Sequence, residues 1–113
     1  EAARLLDEGA SVRDAAIAVN LSERQLGRRF EARVGITPKT FARVMRLQKA
    51  SAAIHAGQHA AGAALAAGYV DQAHFTRDAK ELAGITPGGL VAEARAASTA
   101  MSDSYKTGEH EAA

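Results

Sequence analysis

The chain contains no cysteine and no tryptophan, and aromatic residues make up only 4% of its 113 positions. Without cysteine there is no disulfide, no thiolate metal site and no cysteine nucleophile. The same absence fits a reducing cytoplasm. No apolar run approaches the roughly 20 residues that a membrane-spanning helix needs, so no membrane partner is expected, and no signal peptide is visible. Strand-forming stretches are sparse, and no run alternates between apolar and polar with period two. What is present is a sequence that is 47% hydrophobic, much of it alanine. Alanine mixed with Leu, Val and Ile packs helices closely, so these bounds point to an all-α fold, one domain or two very small ones. The chain starts at Glu1 and enters a helical pattern at once. It is therefore expected to be a piece of a longer protein, with its first helix truncated.

Net charge is only +1, but it is unevenly spread. Between Leu21 and Ala50 stand eight positive residues (Arg24, Arg28, Arg29, Arg33, Lys39, Arg43, Arg46, Lys49) and two negative ones (Glu23, Glu31). The flanking segments are neutral or acidic. A concentrated basic stretch matters more for nucleic acid than the total does.

An internal repeat organises the chain. Gly35-Ile36-Thr37-Pro38 recurs as Gly84-Ile85-Thr86-Pro87, 49 residues later. The stretch from Ser22 to Arg28 corresponds to that from Asp71 to Arg77, with an apolar residue, a small residue and an arginine in the same order. Repeats of this length mean a duplicated supersecondary unit. Punctuation marks about seven helices. Glu1 to Glu8 ends at Gly9. Ser11 with Asp14 caps a short helix through about Val19, and Asn20 turns the chain because Asn tolerates the left-handed region. Ser22 with Gln25 opens a third helix that ends at Gly35. Thr37-Pro38 starts a long fourth helix reaching about Ala56, since proline is favoured at a first helical position. A short helix from about His59 to Ala67 stops at Gly68. Asp71 caps the sixth, Gly84 ends it, and Thr86-Pro87 starts a seventh through about Ala97. The expected division is a first helix-turn-helix subdomain (1–36), a linker helix (37–57), a second helix-turn-helix subdomain (58–97) and a disordered polar tail (98–113).

On the third helix Leu26, Phe30 and Val34 form a buried stripe, leaving Arg24, Gly27, Arg28 and Glu31 outward. On the sixth, the stripe is Phe75, Ala79 and Leu82, and Ala73, Thr76, Arg77 and Lys80 face out. The outward sets align across the repeat, which a core-only account does not require. An α-helix fits the B-DNA major groove, and side chains near its start reach base edges. Arg28, Arg77 and Arg24 can each bond guanine with two hydrogen bonds, worth roughly 1–3 kcal/mol of discrimination. Gln72 suits adenine, and Thr76 offers a methyl and a hydroxyl. Ser22, Arg29, Thr37, Lys39, His74 and Lys80 are candidates for phosphate, Lys39 at a helix start whose free N–H groups attract anions. A linker of about nineteen residues at ~1.5 Å each gives a rod near 28 Å, which with packing offsets brings the reading helices close to ~34 Å apart, one turn of DNA.

Each of these residues also has a plainer reading. Arg24 and Arg28 can be a solvated helix face, Arg29 and Arg33 can pair with carboxylates, and Arg46 packs or pairs rather than touching DNA. His74 supports Asp71 or its helix start more readily than it does chemistry. His55 and His59 are four apart, but Gly57 breaks the helix between them and no third ligand is evident, so no metal is expected. Gly88-Gly89 is too short for a nucleotide-binding loop. No nucleophile, base and orienting acid form a set, so neither enzymatic activity nor a cofactor is expected.

The run Ala64-Leu65-Ala66-Ala67-Gly68-Tyr69-Val70-Asp71-Gln72-Ala73-His74-Phe75-Thr76-Arg77, followed by Lys80 and Gly84-Ile85-Thr86-Pro87, closely resembles the signature of the AraC/XylS family of bacterial transcription regulators. Leu26, Arg28, Phe30, Gly35 and Pro38 match its first unit, and Arg46-Leu47-Gln48 its linker helix. The resemblance spans Leu5 to about Leu90. It implies seven helices, with the third and sixth reading double-stranded DNA, and action in the cytoplasm at the nucleoid, with RNA polymerase as a partner. It also implies a separate effector-binding or dimerisation domain, nothing like which is present here. Gly27 stands where the family often has a base-reading side chain. Ala79 replaces a large aromatic, which is expected to loosen the second unit's core, so the first unit is expected to dominate affinity. Two other functions remain open: a DNA-targeting module of an alkylation-repair fusion protein, whose chemistry needs a cysteine thiolate absent here, and a protein-interaction module with a basic docking face.

Overall fold

The computed structural model describes the backbone of residues 1–112 and the side chains of residues 1–99. The described residues are all-helical: α1 (Ala2–Asp7), α2 (Val12–Ala18), α3 (Glu23–Val34), α4 (Pro38–His55), α5 (Ala60–Ala67), α6 (Gln72–Asp78), a π-helical turn (Ala79–Ala83) and α7 (Pro87–Ala112). The chain divides into two compact units, Glu1–Gln48 and Lys49–Ala113, and the break falls inside α4.

Capping explains where the helices begin. Ser11 Oγ accepts from the Asp14 N–H at 3.0 Å. Ser22 and Gln25 form a reciprocal capping box, Ser22 N–H to Gln25 Oε1 at 3.0 Å and Gln25 N–H to Ser22 Oγ at 3.1 Å. Asp71 Oδ1 accepts from the His74 N–H at 2.8 Å. Thr37 and Thr86 accept from the N–H groups of Thr40 and Gly89 at 3.2 and 3.0 Å. Each bond satisfies a first-turn donor that the helix itself leaves open. The fifth helix is capped by a residue whose sequence gives no such signal. His59 Nδ1 accepts from the Gly62 N–H at 3.2 Å. This accounts for the glycine inside that short helix, since a β-carbon at position 62 would lie 2.6 Å from the His59 ring.

The ends repeat as closely as the starts. Leu21 N–H bonds Ala16 O at 2.9 Å, and Tyr69 N–H bonds Ala64 O at 3.0 Å. Asn20 and Gly68 occupy the left-handed position between, at φ 60° and 98°. The closures after α1 and α4 also match: Ala10 N–H to Leu5 O and Gln58 N–H to Ala53 O, both 3.0 Å. These are Schellman-type closures, which satisfy the last carbonyls of a helix. The duplication therefore covers whole units rather than the turn motif alone. The end of α4 stands to α5 and α6 as α1 stands to α2 and α3.

In the first unit Leu6, Ala15, Ala16, Leu26 and Phe30 are buried, with Phe41 and Ala42 of α4 packed against them. Phe30 meets Phe41 edge-on, ring centres 5.2 Å apart, a geometry the ring quadrupoles favour. Val34, expected in the buried stripe, is 45% exposed. The core tapers at the end of α3, where Val34 lines an open cavity of about 620 Å3 with Ala2, Leu26 and Arg33. Arg4 pairs with Glu1 and Glu8 on the exposed side of α1, and its hydrogen bond holds the Glu1 carboxyl below its ordinary value.

In the second unit α5 packs against α6 and α7. Its buried residues include Ala50 and Ile54 of α4, Ala63, Ala64, Tyr69, Phe75, Ala79, Leu90 and Ala94. α7 runs to Ala112, and the expected disordered polar tail (98–113) lies mostly outside the described residues. The tail's side chains from residue 100 lie outside the described residues.

Candidate nucleic-acid interface

The capping box at Ser22 fixes where α3 starts, and this decides which residues fall on its first two turns. Leu26 and Phe30 turn inward, 3% and 6% exposed. The helical period then turns Arg24 and Arg28, four residues apart, to the other side, and both are exposed. Arg29 is exposed on another flank, where with Arg33 it borders the cavity beside α1. Ser22 and Lys39 are exposed at the starts of α3 and α4. The Thr37 hydroxyl is largely committed within the chain: it accepts from the Thr40 N–H and donates to Thr40 Oγ1 at 3.0 Å. Arg24, Arg28, Arg29, Arg33 and Lys39 make no ion pair among the described residues, whereas Arg43, Arg46 and Lys49 all have partners.

In the second unit Asp71 sets the start of α6, and Phe75 is fully buried. Gln72, Arg77 and Lys80 are exposed. Thr76 is half-buried, and its hydroxyl donates to Gln72 O at 2.9 Å, so its proton is already placed. His74 stands apart from the outward set. Its ring is half-buried and edge-on to Tyr69, ring centres 5.0 Å apart, and Nε2 lies 3.9 Å from Asp78 Oδ2. The remaining histidines are also engaged locally, His55 Nδ1 with Ser51 O at 2.9 Å and His59 Nδ1 as the α5 cap. No group of three metal-ligating side chains occurs among the described residues, and no described helix is long and apolar enough to cross a membrane.

Each unit thus offers a short helix, a left-handed turn and a capped second helix that keeps one arginine-bearing side exposed. The model of the helix-turn-helix domain family matches residues 15–93, both units together. A crystal structure of a transcriptional regulator from Chromobacterium violaceum, of the AraC-type DNA-binding domain-containing proteins, is similar at 27% identity, covering 83% of this chain and 88% of that one with a TM-score of 0.74. The chain belongs to the AraC-type helix-turn-helix family. A probable AraC family transcriptional regulator from Rhodopseudomonas palustris shares the fold at 23% identity, with 82% and 93% of the two chains covered and a TM-score of 0.69. No curated protein matches the sequence.

The AraC-type domain has one internal group that the sequence reading missed. Asp78, on α6, is 3% exposed and accepts from the Tyr69 hydroxyl at 3.2 Å. Tyr69 in turn lies against Phe75, ring centres 5.2 Å apart. As a charged residue between Arg77 and Lys80, Asp78 reads as part of a solvated face. The signal that could have found it is its spacing, three residues after buried Phe75, together with a tyrosine whose hydroxyl needs a partner once buried.

Proposed function

We propose that this AraC-type domain reads specific double-stranded DNA in the service of transcription regulation, with α3 and α6 entering successive major grooves. The observation that carries the reading is Arg28 and Arg77 standing exposed at the same position of two repeated helices, 49 residues apart in sequence. A fold needs its buried residues to repeat; it does not need its exposed ones to. Arg24, Arg28 and Arg77 read guanine edges, Gln72 reads adenine, and the Thr76 methyl contacts thymine. Ser22, Arg29, Lys39 and Lys80 bind phosphate, supplying affinity without sequence information. The setting is the cytoplasm at the nucleoid. RNA polymerase and a separate effector-binding or dimerisation domain are the partners, and the role is binding rather than catalysis.

Selection of bound sites from a random duplex pool tests the reading. Two short enriched boxes about ten base pairs apart are expected, with affinity for the selected duplex falling steeply as salt rises, because bound phosphates release counterions. Failure to enrich any sequence overturns the proposal, and a single enriched box overturns the two-groove arrangement.

A further inference from the structure

Within the second unit, residues from the end of α4, the start of α5 and α7 line an open cavity of about 310 Å3. That is the small end of the range for ligand pockets, which pair apolar walls with a few polar groups. Here Ile54, Val91 and Ala94 supply the apolar wall, Ile54 and Ala94 being buried. His55, His59 and Arg95 stand at the exposed rim. Val91, Ala94 and Arg95 share one face of α7 by their spacing. The His55 ring is held by Ser51 O, 2.9 Å from Nδ1. His59 Nδ1 accepts the Gly62 N–H, which leaves the proton of the neutral ring on Nε2 as a donor. Among the described residues Arg95 makes no ion pair, and no Asp or Glu lines the cavity.

The internal repeat gives this rim a counterpart. The matching closures after α1 and α4 put Asp7 at the position of His55, and the matching Thr-Pro starts put Arg46 at the position of Arg95. Asp7 and Arg46 both have partners within the chain. The first unit thus holds an acid and a base at these two positions, whereas the second keeps the base and replaces the acid with an imidazole. We propose that the second unit binds a small organic carboxylate at this cavity. The carboxylate sits on the Arg95 guanidinium and the His59 Nε2–H, and the apolar part of the molecule lies on Ile54, Val91 and Ala94. A guanidinium presents two parallel N–H groups that match the two carboxylate oxygens. None of the lining residues belongs to α3 or α6, so the site does not draw on the proposed reading helices.

The test titrates the full, isotope-labelled chain with hexanoate and follows its backbone amides by nuclear magnetic resonance. Hexanol, which lacks the charge, and inorganic phosphate, which lacks the apolar chain, are titrated beside it. Amides around His59, Val91 and Arg95 are expected to shift saturably with hexanoate, at a dissociation constant on the order of 1 mM. Hexanol and phosphate bind about tenfold more weakly or worse. Arg95→Gln is expected to weaken hexanoate about tenfold while leaving the melting temperature unchanged, since the side chain is exposed. His55→Asp gives the second unit the acid that the first unit has, and its own carboxylate is expected to displace hexanoate to a similar degree. No saturable shift in the wild type overturns the site, as do shifts confined to other parts of the chain. Hexanol or phosphate binding as tightly as hexanoate overturns the ligand class. Unchanged hexanoate affinity in either variant overturns the proposal as well.

Discussion

Phe30 and Ala79 hold the same place in the two units, eight residues after the capping residues Ser22 and Asp71 respectively. In the first unit the phenyl ring meets Phe41 edge-on and α3 stays α-helical for 12 residues. In the second, Ala79 is fully buried where the ring would be, and the helix widens into a π-helical turn from Ala79 to Ala83. Its stabilising contacts have moved forward, to Tyr69 tilted against Phe75 and hydrogen-bonded to buried Asp78. Helix closures that repeat closely and caps at matching positions therefore coexist with cores of different chemistry. Local backbone bonding sets the plan of a unit, and more than one set of side chains can fill it.

The largest test of this contrast is Phe30→Ala, which gives the first unit the residue the second already has. Lacking the tyrosine and aspartate that serve the second unit, it should lose about 3–5 kcal/mol of stability, measured by urea denaturation of the intact chain. A loss under about 1 kcal/mol would show that the aromatic pair is dispensable and break the contrast. Next come Arg28→Ala and Arg77→Ala, each expected to weaken binding to the selected duplex by roughly 1–3 kcal/mol. The Arg28 change should be larger, because the basic stretch lies around α3. Equal losses on random DNA would remove base reading from both units. Smallest is Tyr69→Phe, which keeps the ring but withdraws a donor from Asp78. A loss of about 1–2 kcal/mol by thermal melting is expected, and no change would deny the polar contact a part in holding α6.

Much of this was readable beforehand because the signals are local. Ser11, Ser22, Asp71, Thr37 and Thr86 are caps by residue type and spacing, and Asn20, Gly35, Gly68 and Gly84 are left-handed positions by the same logic. The outward arginines followed from a 3.6-residue period anchored on Leu26 and Phe75. What was not readable depends on partners distant in sequence. Histidine is no standard cap, and His59 serves only because Gly62 leaves room for its ring. The burial of Asp78 depends on a hydroxyl nine residues earlier. Val34 keeps the period of the stripe but lies past the edge of what α1 covers, and no periodicity reports where a core ends. The widened turn after Asp78 has no sequence mark beyond the small residue at 79.

The helix that joins the repeats is itself a repeated part. Its opening turns carry Phe41 into the first core, and its closing turns carry Ala50 and Ile54 into the second. A gene truncated between the repeats cuts through α4, whose side chains each unit uses in its core. Anyone wishing to study one reading helix in isolation would do better to silence the other by substitution than to cut it away.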